Sequence, residues 1–126
     1  MTYIPRGTNG IYLRLKSIGF DSYQEYLLSK HWIEFKKRVF RDRKDMKKML
    51  KKYGGYRCQF CFRDTKLSVH HWTYKRLGNE YMGDVYVICD DCHNEIHRYN
   101  KNGLHNLHKS THIVKRYKSI HMLVQE

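Results

Sequence analysis

Apolar residues recur at helical spacing through the first half of the chain and alternate with polar ones after it. In "SYQEYLLSKHWIEFKKRV", Trp32, Phe35 and Val39 stand three and four apart, the stripe that a helix buries against a core. Asp21 and Ser22 precede the run as N-cap candidates, because a short side-chain oxygen can accept a first-turn amide that has no helical partner. The pattern predicts that the helix passes directly into "KKRVFRDRKDMKKMLKK", with Met46, Met49 and Leu50 inward, and ends at Gly54-Gly55. "KLSVHH" then alternates like a strand, "VYVIC" is a β-branched run, and "DDCHNEIHRY" returns to helix. Gly78, Asn79 and Gly83 fall in the connection between the strands. A last helix is expected from Ser110, with Ile113, Tyr117, Ile120 and Val124 on one face.

Together these elements predict a single α+β domain over 1–126. It divides into an N-terminal arm over 1–20, a basic helical region over 21–55, a cysteine- and histidine-bearing core over 56–100 and a C-terminal helix over 101–126. A chain of 126 residues buries only a modest core. Its 25 Lys and Arg against 12 Asp and Glu give a net charge of +13, which points to a polyanionic partner and most simply to a phosphate backbone. Charge alone does not separate a nuclease from a passive binder. The longest strictly apolar stretch is the four residues Val85–Ile88, so no membrane span is expected. "MTYIPRGTNG" lacks the apolar core of a secretory signal, and the expected location is cytoplasmic, in the host cell if the chain is phage-encoded.

Four cysteines form two Cys-x-x-Cys pairs, Cys58 with Cys61 and Cys89 with Cys92, separated by residues 62–88. Without an export signal they read as thiolates rather than disulfides. Zn²⁺ favours tetrahedral sulfur, and each pair can supply two ligands from one tight turn. A site closed by four thiolates leaves no open position, so its expected role is to staple a thin-cored fold.

The histidines carry different chemistry. His93 and His97 lie four apart on an expected helix and can share an ion. On a strand, His70 and His71 must point to opposite faces. One of them can then join His93 and His97 as a third ligand, leaving water positions open on the ion. The other is free to take a proton from water, since an ordinary imidazole titrates near pH ~6.5.

The stretch "CQFC…LSVHHWTYKRLGNEYMGDVYVICDDCHNEIH" resembles the zinc-knuckle branch of the HNH endonucleases, with its ββα-metal, treble-clef-like core. The likeness is dense from Cys58 to His97 and extends back to "YLLSKHW", similar to the helix that precedes the motif in phage and bacterial members. The resemblance implies that His70, His93 and His97 bind the catalytic divalent ion (Mg²⁺, Mn²⁺, Ni²⁺ or Zn²⁺) and that His71 is the general base. It places Asp84 where the family has its asparagine, and there a carboxylate can orient the His71 ring. It also implies phosphodiester hydrolysis of DNA, as a nick or a double-strand cut, leaving 5′-phosphate and 3′-hydroxyl ends. On this reading His71→Ala should spare folding, and His97→Ala should weaken the catalytic metal without releasing zinc.

Other residues take plainer roles. Lys75 and Arg76 in "TYKRLGNE" are candidates to grip a flanking phosphate, Arg76 through its bidentate fork, and Tyr74 is a candidate DNA contact that more simply packs, as does Trp72. Lys36 to Lys52 can face the DNA backbone or merely solvent. Trp32 and Phe35 belong to the core. His105, His108 and His112 read as scattered surface imidazoles, and Glu80 and Glu95 stay outside the ligand set. The leading expectation is a metal-dependent HNH endonuclease, monomeric or homodimeric. The alternative is a zinc-knuckle nucleic-acid-binding module without catalysis.

Overall fold

Two serines divide the first helical run. Ser22 accepts the Glu25 N–H at 3.0 Å and caps a short helix over Tyr23–Leu27, and Ser29 accepts the Trp32 N–H at 3.2 Å and starts a longer one over Lys30–Asp42. The single helix expected from Ser22 onward is therefore interrupted at Leu28, because a second capping serine offers the next helix its own start. The computed structural model of the chain describes residues 10–101 and 110–116. Within them the helices are α1 (Gly10–Ser17), α2 (Tyr23–Leu27), α3 (Lys30–Asp42), α4 (Lys44–Tyr53) and α5 (Asp90–Lys101), and the strands are β1 (Leu67–His71) and β2 (Val85–Cys89).

Within the expected N-terminal arm over 1–20, the described part holds helix α1, whose Ile11 and Leu15 are buried in the main core. A second correction falls at Arg43, whose extended backbone (φ −69°, ψ 135°) separates α3 from α4. Its guanidinium bonds Asp45, the Gln59 side chain and the carbonyls of Met82 and Val85. Those bonds tie the helical layer to the sheet and compete with a straight helix. Gly54 ends α4 in the left-handed region at φ 73°, as its sequence position predicts. Met46 is buried and Met49 packs against the core, whereas Leu50 is 49 % exposed and does not face inward.

β1 and β2 pair antiparallel, with Val69 opposite Val87 and His71 opposite Val85. One sheet face meets a core of Tyr26, Trp32, Phe35, Val39, Met46, Val85 and Val87, built with α1 to α4. Each fully buried large apolar side chain there contributes roughly 1.5–3 kcal/mol. The other face meets a smaller core of Phe60, Ile88, Ile96 and Val114 gathered around the cysteines. Residues 110–116 are helical, with Val114 buried; Tyr117, Ile120 and Val124 of the expected closing helix lie outside the described residues, as do His105 and His108. The architecture is α+β, helices on a two-stranded antiparallel sheet. Among the described residues no helix is long and apolar enough to cross a membrane.

Candidate functional site

The four cysteines come together as their spacing predicts. The Phe62 N–H donates to the Cys58 carbonyl at 3.0 Å and closes the first turn, while the Phe60 and Cys61 amides point at Cys58 Sγ from 3.3 and 3.4 Å. The second pair straddles the end of β2 and the start of α5. Sulfur pairs approach to 3.7 Å (Cys58 and Cys92) and 3.5 Å (Cys61 and Cys89), and all four ligand atoms lie within 4.8 Å of one another. The Cys58 thiol is pulled below its ordinary value, by its hydrogen bond with Cys92 first and by backbone amides against the opposing effect of burial. A four-sulfur set with amides already aimed at one thiolate fits a structural metal such as zinc.

On the sheet face nearer that centre, His70 meets His93 and His97. Ring centroids are 5.3 Å apart for His70 and His93, 6.5 Å for His70 and His97, and 4.2 Å for His93 and His97. His93 and His97 share a hydrogen bond between their Nε2 atoms at 2.9 Å, and His70 Nε2 lies 3.1 Å from the Thr111 hydroxyl. Among the described residues only the cysteines hold every ligand atom within 4.8 Å; the three imidazoles form a looser cluster. Burial lowers the proton affinity of all three, with the neighbouring imidazoles adding to the effect at His70 and His93, and His93 falls to about 4. They therefore present neutral rings at pH 7.

No family model, no curated protein and no solved structure matches this chain.

His71 points to the opposite face, as strand alternation requires, but its surroundings are not those of an open base. It is 2 % exposed. Its ring stacks on Trp32 with centroids 4.4 Å apart. The Tyr23 hydroxyl sits 2.8 Å from Nδ1, and Glu80 Oε2 sits 2.8 Å from Nε2. The carboxylate that orients this ring is thus Glu80, not Asp84. Asp84 is instead held by both fork nitrogens of Arg76 and by the Tyr81 N–H. That pairing also corrects the expected phosphate clamp, since Arg76 spends its fork on Asp84 and stacks its guanidinium 4.2 Å over the Tyr81 ring. Lys75 is exposed, and Tyr74 packs beside Tyr23 and His71. His112 lies exposed near Trp72 and Tyr86.

Glu80 is the residue that sequence reasoning placed outside the site and the fold makes central. Its side chain is 1 % exposed and accepts from Tyr26 Oη at 2.5 Å, His31 Nε2 at 2.8 Å and the Gly78 N–H at 3.1 Å, besides His71. The donors come from α2, α3, β1 and the loop between the strands. The pair His31 and Glu80 stands 49 residues apart in sequence, so no local spacing could announce it. These contacts also overturn the expectation that His71→Ala spares the fold. Truncation would open a cavity beside Trp32 and strip one donor from a buried carboxylate, and it is expected to cost about 3 kcal/mol. Urea denaturation of the purified variant reads this directly, and a midpoint equal to wild type would contradict it.

Proposed function

We propose that the chain is a metal-dependent endonuclease of the HNH type, hydrolysing phosphodiester bonds in DNA. The observation that carries this reading is the convergence of His70, His93 and His97, with centroid distances of 4.2–6.5 Å, in a chain of net charge +13. Neutral imidazoles in that number suit a divalent transition ion with open positions, and such an ion supplies Lewis-acid charge at a phosphoryl oxygen. His93 and His97 are fixed by α5, which begins at the cysteine centre, so the structural metal would position the catalytic one. In this reading His71 receives the proton of the attacking water. Glu80 on Nε2 leaves Nδ1 as the acceptor nitrogen and stabilises the imidazolium that forms. The Tyr23 hydroxyl on Nδ1 must yield its place to water, or pass the proton on.

The enclosure of His71 also favours a second reading, a nucleic-acid-binding module without catalysis. Supercoiled plasmid incubated with the zinc-loaded protein and Mg²⁺ or Mn²⁺ separates the two. Nicking is expected from wild type and lost from His93→Ala and His97→Ala, with zinc content unchanged. Replacing His71 by Asn, a smaller loss to the fold than alanine, should slow cleavage by about 10²–10⁴. A plasmid left intact by wild type with every divalent ion would exclude the enzyme and leave the binding module.

A further inference from the structure

The two edges of the sheet are treated differently. On β2, the Val87 carbonyl accepts from the Gln59 N–H at 2.9 Å, and the Val87 N–H donates to Gln59 Oε1 at 2.7 Å. Arg43 takes the Val85 carbonyl at 2.8 Å. That edge is closed by the protein itself. Because Val87 spends both backbone groups outward, its partner across the ladder, Val69, belongs to a pair that does not bond across the strands, and the Val69 N–H and C=O also point outward. They face a groove of about 630 Å³ between α3 and α5, which runs along β1 to His70, His93 and His97. Leu67 and His71, two residues either side, repeat the same outward orientation.

The groove wall opposite β1 comes from α3. Ile33, 40 % exposed, and half-buried Phe40 supply apolar surface, and Lys36 and Lys37 supply charge. Lys37 approaches Glu34 only at 3.9 Å in an exposed pair, a contact that stabilises little. An open strand edge accepts either a peptide strand or any ligand that carries donors and acceptors in one plane. Two lysines on this wall, in a chain of net charge +13, favour a polyanion over a peptide. A duplex hides the Watson–Crick edges and stacked faces of its bases, whereas an unpaired strand offers both to a peptide edge and an apolar wall.

We propose that this groove binds an unpaired strand of nucleic acid, its bases against the Val69 edge and the Ile33–Phe40 wall, its phosphates on Lys36 and Lys37. The inference rests on the nucleic-acid reading above and names its substrate class: single strands or locally opened duplex.

Fluorescence anisotropy with a short labelled oligodeoxynucleotide tests it, using the zinc-loaded full chain at fixed salt without added Mg²⁺ or Mn²⁺. The single strand is expected to bind about tenfold more tightly than the same sequence in duplex form, as stacking and edge contacts contribute only to the former. Ile33→Glu and Lys37→Glu should each remove most of that preference. Lys51→Glu, the same charge change as Lys37→Glu but on exposed α4, should weaken single strand and duplex alike. Duplex binding as tight as single-strand binding, or equal effects of Lys37→Glu and Lys51→Glu, would overturn the proposal. Polyglutamate competing as well as unlabelled oligonucleotide would assign the groove to an acidic peptide and overturn it too. Because the readout is binding, a chain that shows the preference but never cuts DNA supports the groove and fails only as an endonuclease.

Discussion

Stripping metal from Cys58, Cys61, Cys89 and Cys92 is expected to abolish the cooperative thermal transition of this chain. The four sulfurs join the turn after Cys58, the end of β2 and the first turn of α5. The core around them is small, with Phe60, Ile88, Ile96 and Val114 as its buried apolar members beside the cysteines. A thiolate zinc site contributes an apparent ~10–16 kcal/mol to folding, as much as the whole net stability of a typical domain at about 5–15 kcal/mol. The helical layer over 10–53 packs on the opposite sheet face, so far-ultraviolet circular dichroism should retain part of its helical signal while the sigmoidal melt disappears. Cys92→Ser should reproduce the effect without a chelator, because it removes the ligand that lies in the first turn of α5. Elemental analysis confirms the loss of metal. A metal-free chain that melts as sharply, and at the same temperature, would show that the cysteines are ordinary core residues.

How far the fold could be read in advance follows from which interactions are local. The Trp32, Phe35 and Val39 stripe, the two Cys-x-x-Cys turns, the alternation at Leu67–His71 and the left-handed stop at Gly54 are all set within a few residues, and each appears where its pattern placed it. The approach of His70 to His93 and His97 also follows from short rules, strand alternation on one side and four-residue spacing on the other. What the pattern concealed depends on long-range partners. Ser29 looks like any helical serine until its side chain is seen taking the Trp32 amide. Arg43 has the composition of a helix former, and only its bonds to Gln59 and the Val85 carbonyl explain the break. Asp84 stands where a partner for His71 was expected, yet Arg76, eight residues away, is nearer to hand and offers two donors. The carboxylate that does reach His71 comes from Glu80, in a loop whose polar sequence reads as solvent-facing.

Glu80 should accordingly dominate the acid stability of the protein. Burial acts to raise its carboxyl, but hydrogen bonds from His71, Tyr26 and His31 outweigh it and hold the group at about 2, against an ordinary 4.5. A carboxylate depressed in the folded state stabilises above its unfolded value, and that contribution is lost as pH falls through the folded one. Here the window runs from about 4.5 down to about 2. The shift corresponds to roughly 3 kcal/mol at neutral pH. Glu80→Gln keeps the shape but turns an amide towards groups that need an acceptor, and it should lower stability at pH 7 by about 2–4 kcal/mol. The same variant should also flatten the acid limb, since no proton remains to be taken up at that position. Asp84 and Asp45 are likewise lowered by their arginines against burial, so some acid sensitivity persists in the variant. Urea midpoints measured from pH 7 to pH ~2.5 distinguish the contributions. If wild type and Glu80→Gln lose stability in parallel over that range, the buried carboxylate is not the group being titrated, and the four donors around it would have to be satisfied by water instead.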